Sequence, residues 1–189
     1  MICGGWSLSH ICTRCRNEQL TPSLYTRRIL GHIPVYAFYR YDEIEPLLLT
    51  KHTELGFYIY RILAEISMGR FARQFRHEGR VAAVGVDDHV RHGYAHTALL
   101  ARTLRTPAIK PYSGRLRAGN ADTYSGQNYQ YRLLHPRRFT YRPFPEKEVI
   151  LVDDVMTTGL TLTQAAETLH RHGKTVLFCL TLAHAQKHT

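Results

Sequence analysis

Two adjacent carboxylates and a cluster of hydroxyls make residues 153–161 the part of this sequence best equipped for chemistry. Asp153 and Asp154 are followed by Thr157-Thr158-Gly159-Leu160-Thr161. Thr157, Thr158 and Thr161 offer hydroxyl donors, and Gly159 lets the backbone come close to an anion. Carboxylates repel phosphate, so the acidic pair suits a diol or a bound Mg2+ instead. Phosphate and sugar hydroxyls together describe a phosphorylated ribose. The elements that must position these groups are legible on either side. Val149 to Val152 is an unbroken apolar run, the signal of a buried strand. Beyond Gly159, Leu162, Ala165, Ala166 and Leu169 recur on one face of a predicted amphipathic helix. A strand–turn–helix aims backbone N–H groups and the positive helix end at the mouth of the turn, where a phosphate can sit. No Gly-Lys-Ser/Thr follows Gly159, so this is not a Walker A loop and ATP hydrolysis is not the reading. An ordinary α/β turn whose acids cap the helix would use the same residue types.

A second strand-to-helix junction repeats the geometry. Val81 to Val86 reads as a short apolar strand, Tyr94 to Leu104 returns to helical spacing, and Asp87-Asp88-His89-Val90-Arg91-His92-Gly93 joins them. Backbone N–H groups there, with Arg91 and His92, supply positive potential, and Asp87 or Asp88 can order a metal's water shell. A polar turn without a ligand would read alike. Residues 111–147 hold glycines, prolines and arginines with little periodicity and read as a long loop. From it Arg115, Arg117 and Arg132, with Tyr124, Ser125 and Gln127 between them, can reach a phosphate-bearing ligand. The same arginines would suit a DNA backbone or a solvated surface.

Cysteine spacing points to a metal. Cys12-Thr-Arg-Cys15 is half of a zinc site, and Cys3 stands a short loop away. Structural zinc takes four ligands, usually from two Cys-x-x-Cys knuckles, and the partner of Cys3 in such a knuckle would fall one residue before Met1. Three outcomes stay open: the chain begins inside its own zinc motif, His10 completes the site, or no zinc binds. His10 lies two residues from Cys12, an awkward spacing for two ligands on one tetrahedral ion. Cys179, inside the predicted core strand Thr175 to Ala183, reads as a buried thiol.

The remaining elements fit one α/β core. Gly31 to Tyr41 is rich in aromatic and β-branched residues and reads as a strand or hairpin arm. Asp42 to Lys51 can form a short helix. Phe57 to Phe75 carries Ile59, Ile62, Leu63 and Ile66 at helical spacing and predicts one long helix, with Arg61, Arg70, Arg73 and Arg76 on a solvated face. The 189 residues are 44% hydrophobic, ordinary for a folded soluble protein, and no apolar run approaches the roughly 20 residues of a membrane span. The N-terminus lacks the regions of a signal peptide, which predicts a cytoplasmic protein. Net charge is +10, and of 25 cationic residues only Lys51, Lys110, Lys147, Lys174 and Lys187 are lysine. An arginine-rich surface suits bidentate contact with phosphates, whether of nucleic acid or of a polyphosphate substrate.

Position by position, Asp153, Asp154, Thr157, Thr158, Gly159 and Thr161 resemble the signature of the type I phosphoribosyltransferases. That resemblance implies an α/β fold with a central, mostly parallel sheet flanked by helices, binding phosphoribosyl pyrophosphate (PRPP) with Mg2+. It places Asp153 and Asp154, the catalytic pair, on the ribose 2′- and 3′-hydroxyls, and Thr157, Thr158, Gly159 and Thr161 around the 5′-phosphate. It assigns pyrophosphate and Mg2+ to the loop of Asp87, Asp88 and Arg91, and a closing basic loop to Arg115, Arg117 and Arg132. Breaking the ribosyl–pyrophosphate bond leaves the sugar cationic and the leaving group anionic; arginines and Mg2+ stabilise the latter while closure excludes water.

The N-terminal cysteines, Tyr36 to Leu48 (YAFYRYDEIEPLL), Arg91 to Ala101 (RHGYAHTALLA) and the 149–161 motif together resemble the ComF family of competence proteins, from Cys3 to about Ala183. In that family a cysteine knuckle precedes a phosphoribosyltransferase domain. The resemblance divides the chain into a zinc-finger-like segment at 1–30 and a phosphoribosyltransferase-like domain at 31–189. It implies a role in natural transformation, bringing single-stranded DNA into the cytoplasm beside a helicase-like partner. Two departures stand out: the first cysteine of the double knuckle is missing, and His92-Gly93-Tyr94-Ala95-His96 replaces an Arg-Gly-Phe-Asn-Gln pattern. The alternative is a salvage-type enzyme that transfers ribose 5-phosphate to a base or another acceptor. Ala183 to Thr189 offers no length for a C-terminal hood over a nucleobase, which leaves residues 31–60 for one.

Overall fold

The computed structural model describes Cys3 and residues 9–86, 94–119 and 139–185. A short helix α1 (Thr13–Glu18) follows Cys12, whose sulfur accepts the Cys15 N–H at 3.4 Å. The aromatic run then forms an antiparallel hairpin, β1 (Tyr25–Ile29) and β2 (Ile33–Arg40), turned at Leu30 and Gly31. Helix α2 (Tyr41–Leu48) runs into a 3-10 turn (Leu49–His52), and Thr53 caps α3 (Glu54–Ile66) by accepting the Gly56 N–H. Gly56 is required by contact: a Cβ there would land on the Thr50 carbonyl oxygen, so the turn and the start of α3 touch through backbone.

The predicted single helix over 57–75 is two. It breaks at Ser67, whose backbone leaves helical values (φ −104°, ψ −81°) while its hydroxyl donates to the Leu63 carbonyl, and α4 (Met68–Gln74) continues beyond. Arg61, Arg70, Arg73 and Arg76 are exposed, as expected. Next come β3 (Val81–Gly85), α5 (His96–Thr103) and β4 (Ile109–Tyr112). The expected loop over 111–147 is bounded by structure: β5 (Leu116–Ala118) and β6 (Phe139–Tyr141) pair antiparallel as a separate ribbon. Three-residue strands are too short to show a period. The chain closes with β7 (Glu148–Met156), α6 (Leu160–Arg171) and β8 (Thr175–His184).

The result is a mixed α/β architecture with a mostly parallel central sheet flanked by helices. Strand order is β1-β2-β8-β7-β3-β4, parallel except for the β1/β2 hairpin at one edge. Alternation along the strands divides the core in two. Ile150 and Val152 of β7 face the layer of α2 to α5, with Ile59, Leu63, Met68 and Leu100. Val149 and Leu151 face α6, with Leu162, Ala165, Ala166 and Leu169. Ile11, Cys15 and Leu20 of the N-terminal segment belong to the first of these clusters. Cys179 is fully buried in β8, and burial pushes its thiol pKa up. Lys174 braces the approach to β7: its buried ammonium donates to the carbonyls of Phe144 (2.6 Å) and Glu146 (2.9 Å) and lies over the Phe144 ring. On the edge strands, Thr26, Arg27 and Arg28 of β1 are exposed, and β4 carries Lys110 and Pro111. No described helix is long and apolar enough to cross a membrane.

Candidate functional site

Neighbouring strands β3 and β7 send their following helices to opposite faces: α5 packs with α3 on one side, α6 covers the other. Where adjacent parallel strands diverge in this way, a crevice opens at their carboxyl ends, the usual ligand position in open α/β sheets. The end of β7 is the start of the hydroxyl-rich turn. Met156 is the last strand residue, Thr157 to Gly159 make the turn, and α6 begins at Leu160. Gly159 is the N-cap at φ 78°, a left-handed conformation that costs a side-chain-bearing residue roughly 1–2 kcal/mol. A Cβ there would also meet Ile29 Cγ2 at 2.9 Å, so hairpin β1/β2 walls the turn on one side. Thr158 Oγ1 accepts the Leu160 N–H at 3.3 Å and Gly159 O accepts the Thr163 N–H at 2.9 Å. Thr157, Thr158 and Thr161 are partly exposed. Three threonines, a glycine and the start of a twelve-residue helix thus stand together in one turn, the residue types of a phosphate cradle.

Sequence patterning puts the acidic pair just past the strand, but β7 runs through it to Met156, so alternation turns the two side chains to opposite faces. Asp153 is partly exposed, and its Oδ1 accepts the Asp154 N–H at 2.8 Å. Asp154 points into the helical layer and its side chain is only 10% exposed. Its Oδ2 is met by Lys51 Nζ at 3.2 Å, Tyr60 OH at 3.4 Å and His96 Nε2 at 3.5 Å, and its Oδ1 accepts the Val155 N–H at 2.8 Å. Burial alone would raise this carboxyl, but His96 and Lys51 outweigh it and hold it down at about 2. Burial, with Asp154 adding to it, pushes the Tyr60 and Tyr94 hydroxyls up. Around this centre the Tyr94 hydroxyl donates to the Lys51 carbonyl at 2.7 Å, and the His96 ring packs edge-on against Tyr60 and His52.

Lys51, Tyr60 and His96 are the site residues that sequence reasoning missed. Their signals were slight: Lys51 is one of five lysines, and His96 opens the helix after the second strand-to-helix junction. Asp87, Asp88 and Arg91 of that junction, and Arg132 with Tyr124, Ser125 and Gln127, lie outside the described residues. Arg115 is anchored in the ribbon, donating to the Pro143 carbonyl at 2.9 Å and lying over the Tyr112 ring, while Arg117 is exposed on β5.

At the N-terminus, Cys3, Cys12 and Cys15 bring their sulfurs within 4.8 Å of one another, with Cys3 and Cys12 at 3.5 Å. Tetrahedral zinc with roughly 2.3 Å Zn–S bonds sets its sulfurs about 3.8 Å apart, so the thiols fit three corners of such a site. A hydrogen bond with Cys3, then burial and Cys12, raise the Cys15 thiol to about 11; a cation among the sulfurs would reverse that shift. His10 is outside the group, its ring stacked on Tyr58 at 4.4 Å.

No protein-family profile matches this chain, and no curated protein matches its sequence. Among solved structures it is similar to the hypoxanthine phosphoribosyltransferase of Trypanosoma cruzi, at 18% identity and TM-score 0.39 over 65% of this chain and 63% of that one. It is also similar to an orotate phosphoribosyltransferase from Aeropyrum pernix, at 19% identity and TM-score 0.40 over 90% of this chain and 80% of that one. The chain thus spans less than two thirds of the length of the first. Both likenesses are distant, and the function of the site is carried by this chain's own residues.

The depressed carboxyl of Asp154 sets a pH signature. A pKa lowered on folding stabilises the native state above the unfolded value of 3.8, and that stability is lost as pH falls through the folded value of about 2. Chemical denaturation of wild type and Asp154→Asn should therefore give a stability difference that shrinks steadily as pH falls from about 4 to 2. A constant difference across that window would mean that the carboxylate is not charged and paired in the fold.

Proposed function

We propose that this chain binds PRPP together with Mg2+ in the crevice between β3 and β7, as a phosphoribosyltransferase-type domain. The observation that carries the reading is the hydroxyl- and glycine-built cradle at the start of α6, placed directly after an acidic strand end at the point where the sheet's connections diverge. The 5′-phosphate takes Thr157, Thr158, Gly159 and Thr161, and ribose hydroxyls lie at the acidic strand end. Pyrophosphate is assigned to the β3–α5 connection, where Asp87 and Asp88 would order the metal's water shell and Arg91 would meet the anion. Arg115, Arg117 and Arg132 are the candidates to stabilise the leaving group. Mg2+, when bound, offsets the charge that gathers on departing pyrophosphate. The chain's own arginines add to that offset.

Its finer form is a ComF-type role, as in the competence protein ComFC: a cytoplasmic protein that takes single-stranded DNA during natural transformation beside a helicase-like partner. Supporting it are the net charge of +10, the exposed arginine row of α3 and α4, and the cysteine triad. Residues 1–30 then carry the zinc knuckle and residues 31–189 the ribose-phosphate site. The second reading, transfer of ribose 5-phosphate to a base or other acceptor, draws on the same crevice.

Three measurements test this function. In calorimetry PRPP should bind saturably only with Mg2+, and Thr158→Val should weaken it by roughly tenfold through loss of a charge-assisted hydrogen bond; no binding by wild type would sink the proposal. Single-stranded DNA should bind with an affinity that falls steeply with salt, whereas base-dependent release of pyrophosphate with no DNA binding would favour the salvage reading. Zinc should co-purify at about one equivalent and be lost in Cys12→Ser; metal-free protein with unchanged stability would remove zinc from the account.

A further inference from the structure

The arginines of the helical layer are unequally engaged, and those left over meet in one place. Arg14 of α1 is paired with Glu18 at 2.9 Å, and Arg61 of α3 with Glu65 at 3.1 Å. Arg76 turns back on its own chain, donating to the carbonyls of Arg73 (2.8 Å) and Phe75 (3.0 Å). Arg16, Arg70 and Arg73 take part in none of the ion pairs among the described residues. These three line a cleft of about 500 Å³ between α1 and the break at Ser67, where α3 passes into α4. Arg70 and Arg73 stand three residues apart on α4 and so share a face. Arg16 comes from α1, its Nε donating to the Ile11 carbonyl at 2.9 Å, which leaves the two terminal nitrogens of the fork. Half-buried Pro22 and Ile66 add apolar surface, and Asn17 adds an exposed amide. Glu65 brings the one carboxylate of the lining, already met by Arg61.

Guanidinium forks match the oxygens of phosphate, and their planes stack on flat rings. Pockets for small ligands run to roughly 300–1,000 Å³, and this cleft falls among them. Cations gathered in one concavity focus their field on a compact polyanion. A strand backbone wants cations in succession, and the neighbours that would extend the row, Arg61 and Arg76, are already engaged. We propose that this cleft is a second anion site, which takes a nucleoside polyphosphate. Its phosphates meet Arg16, Arg70 and Arg73, and its ring lies against Pro22 and Ile66. The Asn17 amide, which both donates and accepts, stands at the ring's polar edge. The site shares no residue with the crevice between β3 and β7: Tyr60 of α3 meets Asp154, whereas the cleft takes only the last two residues of that helix. A ligand here would bridge α1 to α3 and α4, and so tie the N-terminal segment to the helical layer.

The test is calorimetry of the full chain at fixed ionic strength and without added Mg2+, using ATP, inorganic triphosphate and adenosine as probes. ATP should bind saturably and raise the melting temperature, triphosphate should bind more weakly, and adenosine should show no saturable binding. Arg70→Gln/Arg73→Gln should weaken ATP binding by about tenfold or more through lost charge-assisted hydrogen bonds. Arg16→Gln should weaken it by about fivefold, and it decides the matter alone if the double variant does not fold. Arg61→Gln, Arg76→Gln and Thr158→Val should each change it by less than about threefold. The proposal is overturned if wild type does not bind ATP, or if Arg61→Gln loses as much affinity as the cleft variants, the mark of diffuse surface charge. It is equally overturned if Thr158→Val abolishes binding while the cleft variants keep it, which would put the ligand in the crevice. Triphosphate bound as tightly as ATP would remove the nucleoside, and a dT oligonucleotide or a glutamate-rich peptide bound more tightly through the same three arginines would replace it. PRPP binding is a separate measurement: its failure with ATP still bound here would remove the ribose reading and leave this one standing.

Discussion

A negative charge buried at the end of a central strand is the constraint around which this molecule is arranged. Asp154 sits where the sheet meets the helical layer, and a lone carboxylate there would be costly enough to protonate rather than stay ionised. The chain answers it from three separate elements: Lys51 from the turn after α2, Tyr60 from α3 and His96 from α5. Each answer fixes its element. Close backbone contact at Gly56 and the hydroxyl of Tyr94 then tie those elements to one another. The helical layer is held to the sheet by apolar packing along its length and by electrostatics at the end where the crevice opens.

The opposite face of β7 follows a different logic. There Val149 and Leu151 pack with α6, which starts at the turn that follows β7. Apolar contacts set the angle of α6, and Gly159 lets the chain reverse within a wall formed by Ile29. The cradle therefore depends on packing, and the crevice wall on charge. The cysteine triad joins the second of these, because Cys15 and Ile11 share a buried cluster with Ile59 and Leu63 of α3.

Much of this was legible in the sequence, for identifiable reasons. Unbroken apolar runs marked β3 and β7, helical spacing marked α6 and the helices flanking the crevice, and the Thr157–Thr161 run marked the turn we propose to hold phosphate. The break at Ser67 was hidden because the helical period persists across it; only a side-chain hydrogen bond to Leu63 distinguishes the site. The ribbon of β5 and β6 was hidden because its strands are three residues long and their pairing is non-local. The continuation of β7 through its acids was masked by charge, since sequence patterning ends a buried strand where polar residues begin. The cage on Asp154 was out of reach altogether: Lys51 lies 103 positions away and Tyr60 94, and no local pattern encodes a contact that only the folded sheet creates.

The two margins of the sheet bear on how this protein can keep company. Backbone groups along an open strand invite another strand to add, and both outer strands here discourage it. Strand β1 exposes Arg27 and Arg28, one on each face of the sheet, so an incoming chain would meet a guanidinium group on either side, while β4 places Lys110 beside Pro111, which has no N–H to offer a neighbour. Addition of a strand to the six-stranded sheet is therefore disfavoured at both of its described edges.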